Sequence, residues 1–485
     1  MSTTELEELQ RAFAQQKQQY SPATPISFEQ RIHLLEQIDN MIRQHIDEIS
    51  AALLADFGSR SADWIFTAEI FPILDHIKHV KKKLKTWMKP EPTSSGLLAI
   101  TGQRTYIQYE PLGVVGVMSP FNAPVSLGFD PAIDAIAAGN RVMIKISEQT
   151  PVTAQLLKRL ADSHIEASYL SIVCGELDIS QAFVALPWDS LLFTGGTQVG
   201  KQIMASAAPN LTPVILELGG KCPCVLLPDA NLEMAAHKIA QVRQLNAGQV
   251  CIAADYVLLP ESLLEGFISS ALAKDLDTYP AMIDNSDVTA IINDQHYQRI
   301  CSWIDEARAA GCRVVQAERP HEVLPDRQSR KIPLTLIVNP SKDLSVARQE
   351  VFGPVLTVFT YRELDTAINA INSRPKALAL YVFGQNRKQI DHVVNSTSSG
   401  GVTINDLLMH AGSHTMGFGG VGESGMGRYK GGIRGFQAFS NPKSVHVQGL
   451  LKKYTGQFFP PYKKQSTRKM LRGQVGVHEV TKSAR

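Results

Sequence analysis

The sequence predicts an α/β protein built from two parallel-sheet units. Short apolar segments alternate with helical stretches from about residue 113, the alternation resumes after Glu217, and nothing repeats at solenoid periods. With 485 residues, 44% of them hydrophobic, the chain can bury more than one core.

In chain order, residues 28–56 place Ile32, Leu35, Ile38, Ile42 and Ile46 at helical spacing. A second helix over 63–88 ends in Lys78, Lys81, Lys82, Lys83, Lys85 and Lys89, a solvated face with cations near its C-terminus. Residues 97–110 alternate and are rich in Thr, Tyr and Ile, which predicts a hairpin or an exchanged strand pair. Buried strands follow at 113–118, 141–146, 171–173, 190–193 and 214–217, and then at 223–227, 256–260, 313–315 and 354–360. The two units therefore meet close to Glu217. Residues 452–485 carry nine Lys/Arg against Glu479, with Pro460-Pro461 inside, and read as a draped or disordered tail.

Composition narrows the function. Forty-eight basic against 46 acidic residues give no electrostatic case for nucleic acid. Cys174, Cys222, Cys224, Cys251, Cys301 and Cys312 are too sparse for a disulfide scaffold and lack C-x-x-C spacing, so no metal is expected. Cys222-Pro-Cys224 reads as a pair of buried, inert thiols. The N-terminus is acidic without an apolar run, and the uncharged stretch between Glu110 and Asp130 is broken by Pro and Gly. A reducing cytoplasm without a membrane anchor is the expectation.

Three glycine-rich or charged segments compete for a ligand. Gly417-Phe-Gly419-Gly-Val-Gly422 matches G-x-G-x-x-G, but no clear strand leads into it and no helix pattern follows, so it reads as a tight late loop. Phe193-Thr-Gly195-Gly196-Thr197-Gln-Val-Gly200-Lys201 follows an apolar strand and opens a helix. Gln202 stands where a nucleotide-triphosphate loop needs a hydroxyl for magnesium, which leaves a magnesium-free dinucleotide pyrophosphate or a structural turn. Lys145-Ile-Ser-Glu148 ends a strand and is either a ribose contact or a surface ion pair.

Cys251 follows Gly248 in a polar stretch, and Glu217 lies 34 residues earlier, room enough for a helix to bring both to one edge. A carboxylate beside that thiol could take a proton from sulfur or from water, whereas a lone cysteine can equally be packing.

Taken together, seven ordered segments settle on one resemblance: Ser119-Pro-Phe121-Asn122-Ala-Pro, Lys145-Ile-Ser-Glu148-Gln-Thr-Pro, Phe193-Thr-Gly195-Gly196-Thr197, Leu216-Glu217-Leu-Gly-Gly-Lys221, Gly248-Gln-Val-Cys251, Glu350-Val-Phe352-Gly-Pro and Gly417-Phe-Gly-Gly-Val-Gly422. From about residue 25 to 447 the chain resembles the aldehyde dehydrogenase superfamily. Cys251-Ile-Ala-Ala-Asp255-Tyr, Asn405-Asp406 ahead of His410 and Phe459-Pro460-Pro461-Tyr462 look like its class 3 branch and the bacterial coniferyl aldehyde dehydrogenases within it.

That resemblance implies an aldehyde dehydrogenase-like α/β fold. Its parts would be a Rossmann-type NAD-binding domain (1–96 and 111–216), an α/β catalytic domain (217–411), a glycine-rich loop region (412–432), a small oligomerisation arm (97–110 and 433–450) and a basic tail (451–485). It implies Cys251 as nucleophile, Glu217 as general base and Asn122 as the amide that holds the oxyanion. Cofactor contacts would come from Ser119, Pro120, Phe121, Lys145, Glu148, Gly195, Gly196, Thr197, Gly200, Leu218, Glu350 and Phe352. The implied cofactor is NAD, with NADP tolerated, and the implied assembly is a homodimer. The substrate would be an aromatic aldehyde such as coniferyl aldehyde, or a medium-chain aliphatic one, oxidised to the acid. Long-chain aldehyde oxidation, acyl transfer to coenzyme A and a catalytically silent binding protein are the alternatives. Gly196 departs from the family's frequent Ser, Ile146 and Gly417 from a frequent Pro, and Lys430 from a His common in class 3 relatives.

Overall fold

The computed structural model describes residues 3–94, 96, 102–449, 469, 472, 473, 475 and 476. The basic tail expected at 451–485 thus falls, those few residues apart, outside the described part, as do residues 97–101 of the expected arm. The chain divides into a large unit, Met1–Trp87 with Glu110–Asn441, and a small one, Met88–Tyr109 with Pro442–Arg485.

Strands β1 (Glu91–Thr93) and β2 (Arg104–Pro111) pair antiparallel, Glu91 opposite Ile107, and β2 also pairs with β16 (Ser440–Val447). The stretch 97–110, expected as a hairpin or an exchanged strand pair, is in its described part the single strand β2, paired within the chain to strands from outside that stretch. Tyr109 Oη donates to Glu91 Oε2 at 2.7 Å, closing the β1–β2 end.

In the large unit, β3 (Val114–Met118), β4 (Arg141–Lys145), β5 (Leu170–Val173), β6 (Ser190–Gly195) and β7 (Val214–Leu218) form a parallel sheet in the order β7-β6-β3-β4-β5. Every residue of β3 and β4 is buried, as expected of strands covered on both faces. Gly116 is required inside β3, because a Cβ there would lie 2.9 Å from Trp188 and Leu191. The chain winds outward from β3 through β4 and β5, then returns to its other side for β6 and β7. That reversal is a topological switch point, where ligands of such sheets bind beyond the carboxyl ends of the strands.

From β7 the chain passes directly into a second sheet. Strands β8 (Pro223–Leu226), β9 (Tyr256–Pro260), β10 (Arg313–Gln316), β11 (Thr335–Val338), β12 (Val355–Tyr361), β13 (Ala377–Phe383) and β14 (Ser399–Ile404) take the order β10-β11-β12-β9-β8-β13-β14, parallel except for the edge strand β10. The two-residue strand β15 (Gly425–Met426) returns to the first sheet, antiparallel to β7 with Gly425 opposite Glu217. Here the sequence reading falls short: β11, β13 and β14 are additional to the four strands expected after Glu217.

The helices differ from expectation in two places. The predicted helix over 28–56 is two, Phe28–Gln44 and Ile46–Phe57, broken at His45, where φ is −122°. A Ser27–Gln30 capping box starts the first, and left-handed Gly58 ends the second. The predicted 63–88 helix contains a wider π turn, Phe66–Ile70, before continuing as Phe71–Trp87. Among the described residues no helix is long and apolar enough to cross a membrane.

Candidate active site

The carboxyl ends of β3, β4, β6 and β7 supply one wall of a cavity of about 450 Å3, and the second sheet supplies the other from its amino edge. On the first wall, β3 runs into Ser119, Pro120, Phe121 and Asn122, β4 ends in Lys145 and continues to Glu148, β6 delivers Gly195 and Gly196, and β7 delivers Glu217 and Leu218. The opposite wall carries Cys251 ahead of β9, Glu350 and Phe352 ahead of β12, and Leu378 within β13.

Two of the expected cofactor residues do not reach this wall. Thr197 turns its hydroxyl to the Glu423 carbonyl at 3.1 Å, and Gly200 lies against Leu218, whose Cδ2 would be 2.5 Å from an added Cβ. Gly200 is therefore needed for helix-on-strand packing. At Gly196 an added Cβ would meet nothing within 4 Å, so the serine frequent in the family would be accommodated.

Cys251 is presented by a contorted loop. Asn246, Ala247 and Gly248 are all left-handed, with φ of 51°, 53° and 73°, and Phe352 across the cavity has φ 49°. Such strain in non-glycine residues persists where surrounding bonds over-determine the backbone. Here Gln249 does so. Its Nε2 donates to Asn246 O (2.9 Å) and Ala290 O (3.1 Å), and its Oε1 accepts from Ile292 N (3.0 Å). Gly248 is obligatory twice over, because a Cβ would sit 2.3 Å from the Gly353 carbonyl. Asn122 Nδ2 donates to Gln249 O at 3.0 Å, tying the two walls together beside the sulfur. One amide hydrogen remains for a ligand.

Burial sets the electrostatics. Glu217 is 2% exposed and neither carboxylate oxygen has a hydrogen-bond partner among the described residues. Burial pushes its carboxyl well above the ordinary range, with Arg428 pulling weakly the other way. The Cys251 thiol is pushed up to about 12 by burial, then by Glu350 and Glu217. Glu350 is raised to about 8 by burial and by Asp255. Asp255 itself stays ionised, since Lys221 and Arg243 outweigh its own burial. It bonds Lys221, Arg243 (2.8 Å) and Val351 N (3.2 Å), joining the strand after Glu217 to the Glu350 segment.

At the other end of the cavity Lys145 is buried, its pKa lowered by desolvation, and its Nζ donates to Ile146 O at 2.7 Å with Glu148 Oε2 at 4.0 Å. The helix Thr197–Ala207 opens at the same end with no side-chain cap at Gly196, which leaves N–H groups for an anion. Thr194 Oγ1 is buried there without a partner among the described residues. The set comprises a helix N-terminus, an ammonium, a carboxylate for hydroxyls and an orphaned hydroxyl. It fits a dinucleotide.

Sequence reasoning missed several wall residues. His296 lines the cavity against Phe121, ring centroids 5.4 Å apart, and burial lowers it to about 4, leaving a neutral imidazole. Tyr429 lines it too, 1% exposed, with Phe418 edge-on at 6.4 Å. A lone His inside a helix carries no signal of this kind. Phe121 and Phe418 line the cavity, whereas Phe129 is fully buried in the core. Cys222 and Cys224 are fully buried, their thiols raised far by desolvation, as inert thiols should be.

Two mostly parallel sheets that line a common cleft, with a thiol, a carboxyl and an amide gathered on it, describe an oxidoreductase that works on aldehydes. The model of the aldehyde dehydrogenase family matches residues 1–445, and the chain belongs to that family. It is 41% identical over 456 residues to a probable coniferyl aldehyde dehydrogenase of Caulobacter vibrioides, covering 93% of each chain. To the dimeric NADP-preferring aldehyde dehydrogenase of Rattus norvegicus it is 37% identical, covering 88% of this chain and 91% of that one. A substrate-bound structure of Staphylococcus aureus AldH superposes with a TM-score of 0.89 at 34% identity, covering 96% of this chain and 99% of that one.

Proposed function

We propose that this chain oxidises aromatic aldehydes of the coniferyl aldehyde kind to their acids with NAD, and with NADP less readily. The observation that carries the reading is the convergence of Cys251, Glu217 and Asn122 on one cavity whose remaining wall is largely aromatic and aliphatic. The 41% identity to a probable coniferyl aldehyde dehydrogenase supports the substrate class.

The dinucleotide would be held by Lys145 and Glu148 at one ribose, by the Gly195–Gly196 turn and the uncapped helix at the pyrophosphate, and by Glu350 and Phe352 at the other ribose, with Ser119, Pro120, Phe121 and Leu218 as flanking wall. Thr197 and Gly200 would act through the shape of that turn. The chemistry such a group supplies when bound is acceptance of a hydride. Every other step belongs to the chain. Cys251 Sγ bonds to the aldehyde carbon as its proton passes to the Glu217 carboxylate, which releases it to solvent before deacylation, and the Asn122 amide with the Cys251 backbone N–H stabilises the charge gathering on oxygen. Loss of hydride from that adduct leaves a thioester on Cys251. Glu217, whose raised proton affinity makes its ionised form a stronger base, takes a proton from water as the water oxygen bonds to the acyl carbon. The tetrahedral adduct expels the Cys251 thiolate as the C–S bond breaks, the acid departs, and the proton held by Glu217 returns to sulfur to restore the thiol. Because a hydrolytic base stands ready, the acid is the product rather than acyl-coenzyme A.

We assign residues 1–96 and 111–216 to cofactor binding, 217–411 to catalysis and 412–432 to a glycine-rich loop, with 97–110 and 433–450 pairing two subunits. The name of the rat relative includes a dimer, and light scattering on the purified protein tests it here. The six cysteines stand free, which supports a reducing cytoplasm. The substrate reading is tested by a panel of aromatic and aliphatic aldehydes, scored by kcat/KM with both cofactors and by the product formed. Phenylpropenals should lead with NAD and give the free acid. Superior turnover of long-chain aldehydes, or acyl-coenzyme A as product, would overturn it.

A further inference from the structure

The π turn buries a charge beside apolar neighbours. Phe66 and Phe71, at its two ends, are 45% and 53% exposed, while Glu69 between them is completely buried. The carboxylate of this π turn points inward next to fully buried Ile70, and such turns are frequent at functional sites. It meets a second buried charge: Arg60 Nη1 lies 3.0 Å from Glu69 Oε1, both side chains wholly inaccessible, and the guanidinium rests 4.4 Å over the ring of Phe57.

Both partners reach the same short loop. Arg60 Nη2 donates to the main-chain carbonyl of Asn122 at 3.0 Å. Glu69 Oε2 accepts from Val125 N at 3.1 Å and from Ser126 N at 2.9 Å. The pair thus grips residues 122–126 from both ends. The Asn122 carbonyl also accepts from Asn246 Nδ2 at 3.1 Å, on the loop that presents Cys251. Stability does not account for such an arrangement, because a buried ion pair is commonly matched or bettered by apolar residues of the same volume. What fixed charges provide is orientation, and the residue oriented here is the amide donor beside the nucleophile.

We infer that Arg60 and Glu69 are positioning residues for the oxyanion site, holding Asn122 at the angle its side-chain amide needs before substrate arrives. The inference rests on the role of Asn122 proposed above. Neither residue touches the cavity, so both act through Asn122. Misplacement of a catalytic group by about 1 Å can cost about 10²-fold in rate, which sets the scale of the expected loss.

The test is a double-mutant cycle read by single-turnover hydride transfer with NAD and a cinnamyl-type aldehyde, alongside NAD affinity. Arg60→Lys keeps the charge but loses the planar fork that serves Glu69 and Asn122 together. It should slow hydride transfer by about 10–100-fold with NAD affinity unchanged. Combined with Asn122→Ala it should be no slower than Asn122→Ala alone, since a positioning residue has nothing left to position. Glu69→Gln, isosteric and still able to accept from Val125 and Ser126, carries the same expectation should Arg60→Lys not fold. A wild-type rate in either single variant, or losses that multiply in the double variants, would overturn the inference. Full activity in Asn122→Ala alone would instead overturn the oxyanion assignment, so the two failures are distinguishable.

Discussion

The two ends of the cleft are built on opposite terms. Around Lys145 and Glu148 the charged groups are satisfied or open, although the nearby Thr194 hydroxyl is buried without a partner among the described residues: the ammonium donates to Ile146 O, and the Glu148 side chain is 34% exposed. Around Cys251 they are shut in, with both Glu217 oxygens unpartnered and the thiol raised to about 12. The first end can exchange one polar ligand for another at modest cost. At the second, desolvation makes Glu217, Glu350 and Cys251 hold their protons more tightly than they would in water, so chemistry there depends on the identity of every atom. Substitutions should divide accordingly: rate collapses at the cysteine end, preference shifts at the other.

The largest effect is expected at the sulfur. Cys251→Ala should abolish aldehyde oxidation while NAD still binds, as calorimetry on the purified variant would show. Measurable turnover would place the nucleophile elsewhere. Next comes Glu217→Gln, which keeps shape and removes the base. It should give one burst of reduced cofactor per active site in stopped flow and then deacylate about 10²–10⁴-fold more slowly. If the variant cycles at the parental rate, some other group activates the water. A smaller effect separates the far end. Glu148→Ala removes a carboxylate that opposes a 2′-phosphate, so the NADP/NAD ratio of kcat/KM should rise about tenfold. An unchanged ratio would remove Glu148 from the ribose and weaken the contrast between the two ends.

How far the sequence foretold this contrast depends on what each part rests on. Strands β3, β4, β6 and β7 were legible within a residue or two, because strands buried on both faces must be continuous apolar runs. Strand β13 was not: Ala377-Leu-Ala-Leu reads as readily as helix, and its pairing with β8 and β14 decides the matter. Strand β14 opens with Ser399-Gly-Gly, which propensity disfavours, and β11 spans four residues. That Cys251, Glu217, Asn122 and Lys145 line one cavity was implied by the family resemblance of the segments that carry them, where their chemistry alone left packing or a surface ion pair open. Arg60 and Glu69 were invisible, since their meaning arises from a tertiary approach to Asn122 that no local spacing encodes. The literal G-x-G-x-x-G at 417–422 teaches the reverse lesson. At Gly420 a Cβ would lie 2.0 Å from Ser424 O, and at the nearby Gly425 one would lie 2.2 Å from Leu216 O. Those glycines let the loop pack on itself and against β7, the strand of Glu217.

The subtlest expected effect lies in pH and at Glu350, the carboxyl ahead of β12 on the cysteine wall. Its pKa is about 8 in the folded protein against 4.5 when unperturbed. Between those values the folded chain retains a proton that the unfolded chain has released, so stability falls as pH rises through the interval and the penalty is complete above about 8. Glutamine at this position cannot titrate. In dinucleotide-free protein, the Tm of Glu350→Gln minus that of the parent should therefore climb from pH 5 to pH 8.5, by an amount on the order of 1–3 °C. A flat difference at Glu350 would mean that its carboxyl is as well solvated as Glu148, and the distinction between a closed chemical end and an open binding end would then reduce to Glu217 and Cys251 alone.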